Sequence, residues 1–485
     1  MKKNKSIAKN YIYNLIYQML TIFLPLVTTP YLSRVLGAKA IGIYGYTTSI
    51  VTYFILFGTL GISMYGQREI AYLSNNKEER SNAFWEIIVI RTFTLLISGT
   101  LFMLIYGFGN QYSLYYKILL IQLLSYLFDI SWLFQGIEEF DKTVIRNLIV
   151  KLLCLILIFV FVKTKTDLWK YFLIYAVAEF IGNLSIWIYV PKYVNKINFR
   201  TLKIKKHLKP TLSLFLPQIA IQIYTVLDKT MLGLITSDMK EVGFYEQAQK
   251  IVRAALVITN SLQTVMNSRI ASSFSSGNKE EINRCLNNSF QFAWLLSIPL
   301  CLGLIGVCKK FVPWYYGAGF TRVGYILIAT APILIAISLN GITGIQYLIQ
   351  VGKQKIFTIS VIFGAIINVI FNFLLIKSYG GIGASISSVI AETSIFVVQF
   401  IYLLKNGFDI KNAFKPFFKC FISGMVMFGV ISLITSNLSV SIINTLFEVV
   451  MGGLVYYIML KILKFKFLNE LENQIFSMFR RKRNE

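Results

Sequence analysis

Glu246, Lys250 and Arg253 stand at i, i+4 and i+7, the spacing that lays side chains along one face of a helix. The stretch that carries them is otherwise largely apolar. A charge near the centre of a bilayer costs about 2.5–3.5 kcal/mol on insertion scales, so such groups persist where they face a polar cavity or a partner. Two cations and one acid form a stripe suited to a phosphorylated anion: arginine holds phosphate oxygens bidentately, and lysine serves as a point charge. A structural Glu246–Lys250 pair, with Arg253 reaching toward an interface, is the competing explanation.

The remaining polar groups inside apolar stretches are few. Gln218 and Gln222 are one turn apart and followed by Asp228 and Lys229; carboxamides suit sugar hydroxyls because each offers donors and an acceptor without a full charge. Asp228 could neutralise Lys229, Lys250 or Arg253, and an acid among cations is also a place for a coupling proton or sodium ion. Arg91, Lys151 and Asp129 are expected near the inner ends of three further spans, as a charge triad closing a gate or as snorkelling side chains. Glu179 and Glu392 fall near the middles of two spans, as coupling groups or as glue between helices. Pro25 and Pro217 each remove a backbone hydrogen bond inside a helix and permit a bend, which makes them candidate hinges.

The elements that position these residues are membrane spans. The chain has 485 residues, of which 56% are hydrophobic and only 14% charged, with a mean hydropathy of +0.63; a soluble enzyme is excluded. Five cysteines, Cys154, Cys285, Cys301, Cys308 and Cys420, lie in or beside apolar segments without CxxC spacing, so they read as buried small hydrophobes. The single histidine, His207, is assigned to a Lys-rich loop, which leaves no material for a His-ligated metal or a Ser/His triad. No phosphate-binding GxxxxGK[ST] run is present, so ATP is not expected as fuel. No metal or cofactor is expected; an H+ or Na+ gradient or the membrane potential would drive the work.

Apolar windows place about fourteen helices, near 11–32, 41–63, 86–106, 114–136, 147–163, 168–190, 211–234, 243–266, 290–310, 322–350, 357–376, 383–404, 417–436 and 442–463. With the N-terminus inside, Lys and Arg favour the inner segments by roughly three to one, and an even span count puts both termini in the cytoplasm. That pattern accounts for the net charge of +26 through topology and anionic lipid, not nucleic acid.

The chain also repeats itself. Gly42-Ile43-Tyr44 answers to Gly243-Phe244-Tyr245, Asn76-Lys77-Glu78-Glu79 to Asn278-Lys279-Glu280-Glu281, Pro25 to Pro217, and Ala178-Glu179 to Ala391-Glu392. The expected fold is therefore an all-α polytopic membrane protein with 14 transmembrane helices: two six-helix lobes in parallel repeat plus two C-terminal helices. Residues 1–190 form the N-lobe, 191–210 a basic cytoplasmic linker, 211–404 the C-lobe, and 405–485 the last two helices with a basic tail.

The run Phe23-Leu24-Pro25, Thr29-Pro30-Tyr31-Leu32-Ser33-Arg34-Val35-Leu36-Gly37, then Gly42-Ile43-Tyr44-Gly45, resembles the start of Wzx-type polysaccharide flippases, of the multidrug/oligosaccharidyl-lipid/polysaccharide exporter superfamily. Similar places are Pro217 with Leu227-Asp228-Lys229 and Leu232-Gly233, Val242-Gly243-Phe244-Tyr245, and the loop Phe311-Val312-Pro313-Trp314-Tyr315-Tyr316-Gly317. The resemblance implies a two-lobed transporter of the bacterial plasma membrane. It would carry undecaprenyl-diphosphate-linked oligosaccharide units to the outer leaflet for capsule, exopolysaccharide or O-antigen assembly. Implied partners are the lipid-linked glycan, membrane lipids, a polysaccharide polymerase and a chain-length regulator. Lipid II flippases carry arginines and an aspartate in the first helix, whereas Tyr11–Leu32 has no ionisable group except tyrosines. A multidrug exporter of the same superfamily is the alternative, and a membrane glycan polymerase or glycosyltransferase is a second one that lacks the large external loop it would need.

Overall fold

The computed structural model describes residues 2–196, 202–259, 263–473 and 477, with side chains described from Leu24 onward except at 214, 216–218, 220–221, 223–225, 263–265, 410–411, 435 and 437. It is all-helical over the described residues. In chain order the helices are α1 (Lys2–Thr59), α2 (Ile62–Tyr72), α3 (Lys77–Tyr106), α4 (Ser113–Ser125), α5 (Ser131–Gly136), α6 (Phe140–Phe161), α7 (Leu168–Ser185), α8 (Val190–Tyr193) and α9 (Lys205–Thr236). There follow α10 (Met239–Thr259), α11 (Gln263–Ser275), α12 (Lys279–Tyr316), α13 (Thr321–Thr330), α14 (Ile333–Asn340), α15 (Gln354–Tyr379), α16 (Gly381–Lys405), α17 (Ile410–Asn437) and α18 (Ile442–Ile462). Among the described residues nine helices are long and apolar enough to cross a membrane, or ten if the bent pair Ala318–Thr330 and Ile333–Ile349 is one span. Their outer faces keep large apolar side chains in the open, Ile188 at 79% and Ile443 at 74% exposed. Such surface is stable in lipid and not in water: this is a multi-pass membrane protein.

Local chemistry sets the helix ends. The two Asn-Lys-Glu-Glu runs do the same job: Asn76 Oδ1 accepts from the Glu78 and Glu79 amides at 3.1 and 3.2 Å, and Asn278 Oδ1 accepts from the Glu281 amide at 3.0 Å. Each asparagine satisfies amides that a helix start leaves unpaired, and the following glutamates oppose the positive end of the helix dipole. Within α1 the non-helical residue is Gly37, at φ 78° and ψ 170°, so α1 is two helices end to end. Pro25 lies within its first helix and is exposed.

Four expectations are corrected. The fourth span, expected to run unbroken over 114–136, is interrupted between α4 and α5 at 126–130. The tenth, expected over 322–350, is α13, α14 and a π-helical segment Gly341–Ile349, bent by 45° near Pro332, which has no amide hydrogen to give the ladder. The run Phe311–Tyr316 is not a loop; α12 continues through it and stops at Gly317, whose φ of 103° only glycine adopts without strain. His207 is not in a loop either. It is buried in the first turns of α9, with Nε2 2.6 Å from Glu86 Oε2 and Nδ1 2.6 Å from the Tyr65 hydroxyl. Glu86 also accepts from the Lys203 amide at 2.5 Å and pairs with Lys206 at 2.9 Å. A buried carboxylate needs several donors, and the Lys-rich segment supplies them, which draws that segment onto α3.

The chain divides into two compact units, Met1–Gly243 and Phe244–Glu485. In the first, one core cluster gathers Val51, Leu95, Phe102, Tyr116 and Phe172, and another Ile62, Phe84, Trp132 and Phe134. In the second, α12 packs against α17 and α18 around Phe290, Trp294, Met427 and Tyr456. The Trp294 indole donates to the Ala413 carbonyl at 2.9 Å and the Tyr456 hydroxyl to the Leu295 carbonyl at 3.1 Å. All five cysteines are buried and unbridged.

The second helix of α1 meets the start of α10 with no side chain between. A methyl added at Gly42 would lie 1.6 Å from the Met239 carbonyl oxygen, and one at Gly243 would lie 2.0 Å from that of Ala38. Gly42→Ala and Gly243→Ala should each lower stability by about 1–3 kcal/mol or more, the range of overpacking. Gly453→Ala, with open space around it, should be neutral or gain up to about 1 kcal/mol of helix propensity. Unfolding of the detergent-solubilised variants measures all three, and equal midpoints for Gly42→Ala and Gly453→Ala would contradict the close approach.

Candidate functional site

The polar residues of the first unit converge on the break in the fourth span. A break between two apolar helices frees backbone carbonyls that need new donors. Three side chains reach them: Asn183 Nδ2 donates to the Ser125 carbonyl at 3.2 Å, Trp187 Nε1 to that of Phe128 at 2.7 Å, and Arg91 Nη1 to that of Asp129 at 2.7 Å. Arg91 is fully buried, and its charge is met by Asp129 Oδ2 at 3.3 Å. The other oxygen of Asp129 accepts from the Ser131 amide at 3.1 Å and the Ser131 hydroxyl at 2.6 Å, which starts α5.

Arg146 of α6 extends the network, donating to Asn183 Oδ1 at 2.6 Å and Ser131 Oγ at 3.0 Å. Asp129, Arg146, Glu179 and Asn183 together border a cavity of about 180 Å³, roomy enough for water or a small cation. The structure thus brings Arg91, Asp129 and Glu179 into one neighbourhood. Lys151, half-buried on α6, is not in the lining of that cavity, and Arg146 occupies the place expected for it. Sequence reasoning misses Arg146 because the apolar window of the fifth span opens at 147, whereas α6 begins at Phe140, which leaves Arg146 with the inner loop. Asn183 and Trp187 give no signal in sequence, since their partners are carbonyls freed by an unforeseen break, and Ser131 gives none because it answers Asp129 and Arg146 at that break.

The two repeat-equivalent carboxylates have alike surroundings. Glu179 Oε2 accepts from Gln122 Nε2 at 2.8 Å; Glu392 Oε2 accepts from Asn340 Nδ2 at 2.5 Å. In each unit a carboxamide from a neighbouring helix holds the acid, and in the second it also reaches the Glu392 carbonyl at 2.9 Å. The π-helical turn beside Asn340 is tied in the same neutral way, with Thr343 Oγ1 donating to Gln399 Oε1 at 2.7 Å and Gln399 Nε2 to Ser360 Oγ at 2.9 Å.

On α9, Asp228 is buried, Lys229 half-buried and Gln222 exposed. Next along, Thr230 Oγ1 lies 2.8 Å from Ser49 Oγ and 3.2 Å from the Tyr53 hydroxyl, polar contacts that join α9 to α1. The side chains of Pro217 and Gln218 lie outside the described residues. On α10 Glu246 and Lys250 are half-buried and Arg253 is exposed, so the stripe runs from covered to open along one helix face. Between Glu246 and Lys250, Gln247 is fully buried and its carbonyl accepts from the Tyr316 hydroxyl at 2.9 Å; this contact ties α10 to the end of α12.

Residues 7–267 match the family described as "Polysaccharide biosynthesis protein". The chain belongs to that family. It is 25% identical to the "Putative O-antigen transporter" of Escherichia coli (strain K12) across 84% of its own length and 99% of the relative's. It is 24% identical to a "Probable low-salt glycan biosynthesis flippase" of Haloferax volcanii across 48% of its length and 49% of that protein's. The fold is that of the solved lipid II flippase MurJ in an inward closed conformation: TM-score 0.77 at 19% identity, covering 93% of this chain and 98% of that one. The Wzx-type resemblance read from Phe23–Gly45 and Pro217–Gly233 therefore stands for this polysaccharide biosynthesis family member.

Removing one partner of a buried ion pair leaves an uncompensated charge and costs about 3–5 kcal/mol. Arg91→Met should cost that much, because it removes the counter-charge of Asp129 and the donor to the Asp129 carbonyl. Asp129→Asn should cost a comparable amount, since it leaves the charge of the fully buried Arg91 uncompensated. Denaturant unfolding in detergent provides the comparison; an Arg91→Met protein as stable as the parent would show that the break holds without it.

Proposed function

We propose that the chain is a transporter, not an enzyme: a flippase that moves undecaprenyl-diphosphate-linked oligosaccharide repeat units from the inner to the outer leaflet of a bacterial plasma membrane. The product would feed capsule, exopolysaccharide or O-antigen assembly, with a polymerase and a chain-length regulator downstream. The observation that carries this reading is the full-length likeness to a relative named as an O-antigen transporter, with membership of the polysaccharide biosynthesis family. The MurJ-like fold supports the class of movement.

In this reading the chain crosses the membrane fourteen times, counting α1 as two spans, α4 with α5 as one, and α13 through Ile349 as one. Both ends are cytoplasmic. Lobes 1–190 and 211–404, joined by 191–210 and followed by 405–485, alternate access to a cavity that holds the glycan. Lys250 and Arg253 neutralise the diphosphate, Glu246 and Asp228 balance the cations, Lys229 lines the cavity beside Asp228, and Gln218 and Gln222 contact the sugars. Arg91, Asp129 and Lys151 act at the inner gate; Glu179, Glu392 or Asp228 take up the coupling ion, and Pro25 and Pro217 let helices bend.

A cysteine at Lys482 should react with an impermeant thiol reagent only after the membrane is opened, and labelling of intact cells would reverse the orientation. In a flippase-deficient strain, Lys250→Ala and Arg253→Ala should each reduce surface polysaccharide at equal protein level. Arg253→Lys should retain activity if charge alone matters and lose it if the bidentate fork matters. Normal polysaccharide from the double variant would remove the stripe from the substrate path; export of drugs but no glycan would favour the multidrug reading.

A further inference from the structure

The second unit holds a cleft that none of these roles uses. It has a volume of about 650 Å³, within the range of small-ligand sites, and lies where α12 and α17 begin, with Phe465 and Pro416 in its lining. Its walls are not those of an ordinary solvated surface. From α12 come Asn283, Asn287, Asn288 and Gln291, which recur at i, i+4, i+5 and i+8 and so share one helix face. Asn412 stands on the facing helix, where its Nδ2 donates to Asp409 Oδ2 at 2.7 Å.

Five carboxamides in one cleft are unusual for a site that needs only charge. Each offers both donors and an acceptor, the complement of a hydroxyl-rich ligand. Asn287 Oδ1 is buried with no hydrogen-bond partner. A buried acceptor left so is costly, and a ligand hydroxyl or amide would satisfy it. Among the amides stand four cations, Arg284, Lys415, Lys419 and Lys466, against the acids Glu280 and Asp409. Lys419 gives one of its three protons to the Lys464 carbonyl at 3.0 Å and keeps two. Arginine and lysine together suit phosphate oxygens.

We infer that this cleft binds a phosphorylated sugar, its hydroxyls on the α12 amides and its phosphate on the surrounding cations. An anionic phospholipid would use the cations and leave the amides idle, and a protein segment would meet a flatter surface. In the proposed orientation the cleft opens to the cytoplasm, where a lipid-linked sugar diphosphate is made and where soluble nucleotide sugars also occur. It would be a capture site on the second unit, separate from the α10 stripe. The class of ligand rests on the flippase reading; the cleft itself does not.

The test uses full-length protein in nanodiscs and four probes: undecaprenyl-diphosphate-linked N-acetylglucosamine, UDP-N-acetylglucosamine, undecaprenyl phosphate and phosphatidylglycerol. Asn287→Leu with Gln291→Leu should weaken a sugar-bearing probe about tenfold or more and leave undecaprenyl phosphate within about twofold, because only the amide contacts are lost. Arg284→Gln with Lys415→Gln should weaken the same sugar probe about tenfold through lost phosphate contacts, with Arg284→Lys restoring part of it. Whichever sugar probe shows both losses is the source of the ligand. Asn283→Ala and Asn288→Ala, on the same face, serve if the leucine pair does not fold. Sugar-probe affinities unchanged in all variants, or equal losses for phosphatidylglycerol, would overturn the inference. Export measured in parallel separates the two readings: intact export with unaltered binding in every variant sinks the cleft alone, whereas amide-dependent sugar binding without any glycan export sinks the flippase reading alone.

Discussion

A backbone carbonyl released at a helix break and buried within the protein needs a donor, and side chains are placed to provide it. The first unit is organised around that requirement. The fourth span opens between Ser125 and Ser131, and Asn183, Trp187 and Arg91 arrive from two other helical segments to meet the carbonyls. Bringing Arg91 inside creates a second requirement, met by Asp129, and Asp129 in turn starts α5 through Ser131. Arg146 then bridges Ser131 and Asn183. One break thus commits α3, α4, α5, α6 and α7 to a common arrangement, and the small polar cavity beside Glu179 follows from it.

The polar contacts of the second unit run between side chains and are mostly neutral. Its bent span carries Pro332 and a π-helical turn, and the partners are Asn340, Thr343, Gln399 and Ser360, with Glu392 the one acid among them. Where the repeated residues are the same, they do the same physical jobs. Asn76 and Asn278 cap equivalent helices; Glu179 and Glu392 each accept from a carboxamide; Gly42 and Gly243 are each too crowded for a methyl. Charge is where the halves differ, locked in the first around Arg91 and spread in the second along α10 and the mouth of α12 and α17. A locked charge stabilises a helix arrangement, whereas a cation with donors to spare can meet an anion that comes and goes.

Much of this was legible in the residues themselves. Hydropathy and charge determined that the chain lives in a membrane, because no other solvent tolerates so many apolar faces, and the paired Asn-Lys-Glu-Glu runs marked two helix starts that depend only on local capping. The Arg91–Asp129 pairing could be anticipated from the cost of an unpaired buried charge, as could the special positions of Glu179 and Glu392 from their place in the repeat. The packing of helices decided the rest. Nothing local announces the opening at 126–130, since Tyr-Leu-Phe-Asp-Ile reads as continuous helix until Arg91 and Trp187 are present to stabilise the alternative. His207 reads as a loop residue until Glu86 and Tyr65 are beside it, and the amides of α12 read as a polar helix start until α17 faces them across a cleft. Periodicity and capping act over a few residues and are written in order along the chain; the satisfaction of buried polar groups is settled by partners tens to more than a hundred positions away, and only the folded chain brings them together.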